Sequence, residues 1–76
     1  MIKKNFKTKL RQFGYNVCNY RKHNKITLEE LSAKTKISKA YLNRIENGTA
    51  DKISTYHIFV IANALGISAQ LLVEGI

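Results

Sequence analysis

Apolar residues recur along this chain at intervals of three and four. Phe6, Leu10, Phe13, Val17 and Tyr20 follow one another at spacings of four, three, four and three, which marks one face of a first helix. That helix is predicted to end near Asn24, a residue that tolerates the left-handed backbone of a C-cap. Gly14 falls inside the pattern and weakens a helix by up to ~1 kcal/mol relative to Ala. The pattern is therefore also compatible with a helix starting near Gly14, with residues 1–13 as a basic N-terminal arm or helix extension ahead of a domain at 14–76. Further helices are predicted over 28–34, burying Leu28 or Leu31, and over 39–47, burying Leu42 and Ile45. A fourth begins at the cap Ser54 and buries Ile58, Ile61, Ala62 and Leu65 before Gly66. Ser68 caps a fifth, with Leu71 and Leu72 inward. Strand-like alternation is nowhere sustained. The fold class expected is all-α, a compact bundle of five short helices.

The second and third patterns lie back to back with almost no linker. Thr27 and Glu30 have the Thr-x-x-Glu spacing of a capping box, Ser38 is placed as the next N-cap, and Gly48 closes the third helix. Two short, tightly joined helices in a basic chain point to a helix-turn-helix, whose second helix fits the major groove of DNA.

Charge sharpens this expectation. The 76 residues carry a formal net charge of +8. Residues 1–25 hold Lys3, Lys4, Lys7, Lys9, Arg11, Arg21, Lys22 and Lys25 without an acid, whereas residues 53–76 hold no Lys or Arg and one acid, Glu74. A basic front suits a polyanion, and an apolar back suits contact with protein; surplus lysine also serves solubility alone. Cys18 is the single cysteine, so no internal disulfide can form and a cytoplasmic location is expected. No run approaches the ~18 apolar residues of a membrane helix, so no membrane partner is expected. His23, His57 and Cys18 have no zinc-ligand spacing, and no nucleophile–base–orienter set is present. Neither a metal, a cofactor nor an enzymatic activity is expected. One small domain leaves no separate effector domain, so no small-molecule ligand is expected.

Four segments carry a resemblance over about residues 14–73: Tyr20-Arg21-Lys22; Ile26-Thr27-Leu28-Glu29-Glu30-Leu31; Ile37-Ser38-Lys39-Ala40-Tyr41-Leu42-Asn43-Arg44-Ile45-Glu46-Asn47-Gly48; and Ile61-Ala62-Asn63-Ala64-Leu65-Gly66-Ile67-Ser68. In their order and spacing they resemble the phage-repressor-like, Xre-type helix-turn-helix proteins. The resemblance implies a five-helix fold, usually a homodimer, that binds operator DNA as a transcriptional regulator. It also implies a semi-buried ion pair between Arg21 and Glu46 that ties the first helix to the end of the recognition helix. The chain departs from the family pattern at Leu28, often Gln and a phosphate contact, and at Lys25 and Lys36, where Gly is common. A lysine forced into left-handed backbone costs about 1 kcal/mol.

On the third helix Lys39, Ala40, Asn43, Arg44 and Asn47 share one face while Leu42 and Ile45 point away. Lys or Arg can donate to guanine O6 and N7, Asn can pair with adenine, and an Ala methyl can meet a thymine methyl. By resemblance Lys39, Ala40 and Arg44 match base-reading positions, with Asn43 next; a solvated polar face would carry the same residues. Candidate phosphate contacts are Thr27 and Ser38 at helix N-termini, with Tyr41, Asn47 and Lys52. Thr27 and Ser38 also read as plain caps, and Tyr41 equally as a half-buried core aromatic.

The fourth helix is apolar around much of its circumference, which calls for a cover. Phe6 and Leu10 of the N-terminal segment are one candidate. A second subunit is the favoured one, with Val60, Leu72, Val73 and Ile76 at the interface. The function expected is a sequence-specific DNA-binding regulator, a repressor that binds a palindromic operator on double-stranded DNA as a homodimer. The alternatives are a restriction–modification controller protein or antitoxin-type regulator of the same fold, or a protein-interaction module without DNA binding.

Overall fold

Four hydroxyl side chains set where helices begin. Thr27 Oγ1 accepts from Glu30 N at 3.0 Å, Ser38 Oγ from Tyr41 N at 3.1 Å, Ser54 Oγ from His57 N at 3.1 Å and Ser68 Oγ from Leu71 N at 3.3 Å. Each satisfies a backbone donor that has no partner inside its own helix. Glu30 returns the bond to Thr27 N at 2.8 Å, completing the capping box. The computed structural model describes residues 6–51 and 53–75, with the Phe6 side chain excepted. Over them run α1 (Phe6–His23), α2 (Leu28–Thr35), α3 (Lys39–Glu46), α4 (Thr55–Leu65) and α5 (Ala69–Leu72). No strand occurs among the described residues.

Helix α1 passes through Gly14 without a break. The reason is tertiary. A Cβ built on Gly14 would lie 2.1 Å from the carbonyl oxygen of Ile45 and 2.9 Å from that of Glu46, so the glycine lets α1 cross directly over the end of α3. Gly48, with φ +74°, sits under the same helix, where a Cβ would meet Arg11 Cα at 2.9 Å. The left-handed residue after α1 is Lys25 (φ 58°) rather than Asn24, and Lys36 (φ 64°) takes the same conformation after α2. Asn24 instead uses its side chain, donating from Nδ2 to Leu65 O at 3.0 Å and so joining the ends of α1 and α4.

Phe13 and Val17 of α1, Leu31 of α2, Ile37, Leu42 and Ile45 around α3, Ile61, Ala62 and Leu65 of α4, and Leu72 of α5 form one core. Helix α1 packs on α3, α2 lies against α3 and α4, and α5 closes against α4 and α1. Leu28 is half-buried against this core, and Leu31 is fully buried. In the single-turn α5 the expectation that both leucines point inward fails. Leu72 is fully buried while Leu71 remains 41% exposed, because adjacent residues on a helix are about 100° apart. The same burial corrects the interface expected at Leu72, which is spent inside its own chain and cannot reach a second subunit. Val60 and Val73 are half-buried against the core. Leu10 is buried, whereas Ile76 and the Phe6 side chain lie outside the described residues. Asn16, a buried polar side chain, donates from Nδ2 to Leu72 O at 2.9 Å and Glu74 O at 2.8 Å and so fastens the end of α5 to α1.

Candidate nucleic-acid interface

The α2–α3 turn is tied by side chains, which fixes the direction of α3. Thr35, buried at the end of α2, donates from Oγ1 to Leu31 O at 2.8 Å and accepts from Ile37 N at 3.2 Å. Ser32 Oγ donates to Ile37 O at 2.6 Å. The left-handed Lys36 carries its N–H to Ser32 O at 2.8 Å, so the backbone of the turn is held from both Ser32 and Thr35.

Helix α3 rests on this turn with Leu42 and Ile45 in the core. Lys39, Ala40, Asn43, Arg44 and Asn47 are all exposed. The five thus form one outward, polar and cationic face on a helix whose two ends are anchored. Tyr41 lies off this face, half-buried against the core with its ring centroid 5.4 Å from that of His57. Thr27 and Ser38 are exposed at the starts of α2 and α3, where their hydroxyls act as caps. Lys52 lies outside the described residues. The structure therefore brings Lys39, Ala40, Asn43, Arg44 and Asn47 together and places Thr27 and Ser38 at helix N-termini.

Both cations of the face have internal partners. Lys39 Nζ lies 2.6 Å from Glu29 Oε2. That hydrogen bond, with a backbone N–H at the start of α2, holds the Glu29 carboxyl below its ordinary value. Arg44 Nη2 donates to Thr49 O at 3.2 Å and stands 3.7 Å from Asp51 Oδ1, so its guanidinium is drawn toward the loop after α3. Behind the face, Arg21 Nε and Nη2 donate to the two oxygens of Glu46 at 2.6 and 3.1 Å, with both side chains largely buried. Glu46, hydrogen-bonded to it, raises the Arg21 pKa above the ordinary guanidinium value, against the opposing effect of burial. Arg21 Nη1 also donates to Ile26 O at 2.8 Å, so one side chain secures α1, the α1–α2 turn and the end of α3.

Sequence reasoning did not single out Glu29, Ser32, Thr35 or Asp51. Glu29 stood in the sequence only as a member of the segment 26–31, and its meeting with Lys39, ten residues on, depends on the angle between α2 and α3. Thr35 offered one signal: a polar residue one helical turn after the core residue Leu31.

A profile of the helix-turn-helix family matches residues 19–72. The chain belongs to this family, the phage-repressor-like or Xre-type regulators. Solved structures of similar proteins agree. The restriction–modification controller protein C.AhdI from Aeromonas hydrophila is 25% identical, with a TM-score of 0.79 over 83% of this chain and 94% of its own. The N-terminal DNA-binding domain of SinR from Bacillus subtilis is 26% identical, with a TM-score of 0.77 over 84% of this chain and 93% of its own. SinR, a master regulator for biofilm formation, in complex with DNA is 27% identical, with a TM-score of 0.76 over 82% and 98%. A search of curated protein sequences finds no match. Among the described residues no helix is long and apolar enough to cross a membrane.

Proposed function

We propose that this helix-turn-helix chain is a sequence-specific transcriptional regulator that binds a palindromic operator as a homodimer and acts as a repressor. The observation that carries the reading is the outward face of α3, on which Lys39, Ala40, Asn43 and Arg44 stand together on an anchored helix. Lys39, Ala40, Asn43 and Arg44 read base edges in the major groove. The N-termini of α2 and α3 at Thr27 and Ser38, with Tyr41, Asn47 and Lys52, hold phosphates and set the register. The net charge of +8 supplies attraction to any duplex. Membership of the family and the likeness to SinR, solved with DNA, support the same reading. Likeness to C.AhdI supports a controller-type role as the variant within this class.

For the homodimer, the apolar surface of the back supplies the argument. Tyr56 and Phe59 of α4 are 67% and 59% exposed, and Leu71 of α5 is exposed as well. With Val60 next to Phe59 and Val73 two residues after Leu71, these residues form the interface, and a two-fold dimer would present two α3 helices about 34 Å apart along the duplex. Bound protein then blocks polymerase at a promoter that contains the site.

Selection of bound sites from random duplexes tests the whole reading, because it reports specificity, half-site spacing and symmetry together. Arg44→Ala is expected to relax base preference at one or two positions at a cost of ~1–3 kcal/mol, whereas Lys52→Ala weakens all sequences alike. Identical behaviour of the two variants rejects this division of roles.

A further inference from the structure

The chain has five acidic residues against thirteen basic ones. Glu46 is taken up by Arg21 and Glu30 closes the cap of α2. Glu29 is spent on neither task. Its carboxylate reaches out to the first residue of α3 and holds Lys39 Nζ at 2.6 Å, with the two side chains 67% and 56% exposed. An exposed pair of this kind contributes little to stability. Beside a DNA backbone it is also a liability, since a carboxylate near phosphates opposes binding to every sequence. The position of Glu29 in the first turn of α2 suits the helix N-terminus, but the reach toward Lys39 on the outward face gains a use in binding when the carboxylate meets a hydrogen-bond donor in the groove.

Base edges supply one. A G·C pair presents in the major groove two acceptors on guanine, N7 and O6, directly beside one donor, the N4 amino group of cytosine. Lys39 and Glu29 present the complementary order: a donor ammonium beside an acceptor carboxylate. An A·T pair interposes its amino group between two acceptors and does not offer adjacent acceptors to the ammonium. Building on the DNA-binding reading above, we propose that Glu29 is a specificity-determining residue: with Lys39 it reads one G·C pair per half-site, the ammonium on guanine O6 and N7 and the carboxylate on cytosine N4. Each charge keeps the other aimed before DNA arrives, and on non-specific duplex the carboxylate repels phosphates. Glu29 thereby widens the gap between specific and non-specific affinity.

The test is site selection from random duplexes with the wild type, Glu29→Gln and Lys39→Ala, together with affinity for a duplex lacking the selected site. Cooperative urea unfolding of each variant shows that it is folded. The wild type is expected to fix one G·C pair in each half-site. Glu29→Gln is expected to lose preference at that pair by about fivefold or more, and to bind the duplex lacking the site more tightly. Lys39→Ala is expected to lose preference at the same pair. If Glu29→Gln selects the wild-type site with unchanged preference at every position, or if the position it alters is an A·T pair, the inference is overturned. A wild type that selects no site removes the DNA-reading function itself, so the two failures are distinguishable.

Discussion

The carbonyl oxygen of Ile45 occupies the space where a Gly14 side chain would begin, 2.1 Å from an ideal Cβ. Helix propensity and packing therefore make opposite predictions for Gly14→Ala. Propensity alone favours alanine by ~1 kcal/mol in the middle of α1. The crossing of α1 over α3 opposes it, because overpacking a close contact costs about 1–3 kcal/mol and the obstacle is backbone. The expected outcome is net destabilisation, a lower urea midpoint with unchanged helicity. A more stable variant shows that α1 can lift off α3 at little cost.

Arg21 and Glu46 permit a sharper test. Truncating either to Ala strands a largely buried charge and is expected to cost about 3–5 kcal/mol. A domain of this size has roughly 4–11 kcal/mol in all, so each single variant is expected to be largely unfolded at modest urea and to lose DNA binding with its fold. The double variant Arg21→Met with Glu46→Leu is expected to be more stable than either single truncation, since no charge is left without a partner. Intact cooperative unfolding in Arg21→Ala, at the wild-type midpoint, rejects the idea.

Local signals account for what the sequence revealed. Thr27, Ser38, Ser54 and Ser68 are caps whose partners lie three residues ahead, and period alone placed Leu42, Ile45, Ile61 and Leu65 in the core. The outward face at Lys39, Ala40, Asn43 and Arg44 followed from the same phase. Contacts between distant segments were hidden. Gly14 reads as a weak point until Ile45 is seen above it. Asn16 gives no sign that it holds the carbonyls of Leu72 and Glu74, 56 and 58 residues away. A helix of one turn has too few residues to fix its phase, which is why Leu71 and Leu72 could not be separated.

Lys36 separates stability from affinity. Its left-handed backbone (φ 64°) costs a non-glycine residue roughly 1–2 kcal/mol, part of which glycine regains after its greater loss of chain entropy. Lys36→Gly is expected to raise stability by about 1 kcal/mol while removing a positive charge from the turn that leads into α3. If that charge neutralises a phosphate, the slope of log affinity against log salt falls by about 0.9. Denaturation and a salt titration on the same variant read the two effects independently.

Acid titration isolates the Glu29–Lys39 pair. Its carboxyl is held below the ordinary glutamate value in the folded chain, first by the hydrogen bond from Lys39. A depressed folded pKa contributes stability above the unfolded pKa, near 4.5, and loses it as pH falls through the folded value. Lys39→Ala is expected to move the Glu29 midpoint upward in a carboxyl-carbon NMR titration. The stability of that variant should match the wild type at pH 7 closely, because both groups face water. An unmoved midpoint means the pair is not formed in solution.

Phe59 is a surface residue and Leu72 a core residue. Phe59 is 59% exposed on α4 and Leu72 is fully buried from α5, yet both belong to the apolar back. A charge at each position therefore asks a different question. Leu72→Glu is expected to unfold the domain, since an unpaired carboxylate cannot be held among Leu31, Ile61 and Leu65. Phe59→Glu leaves the core untouched, so helicity and unfolding of the isolated chain are expected to persist. What it should abolish is association: equilibrium sedimentation at tens of micromolar is expected to give a monomer, and binding to a two-half-site duplex should fall much further than binding to a single half-site. If Phe59→Glu sediments as the wild type does, the second subunit does not pack on this face of α4.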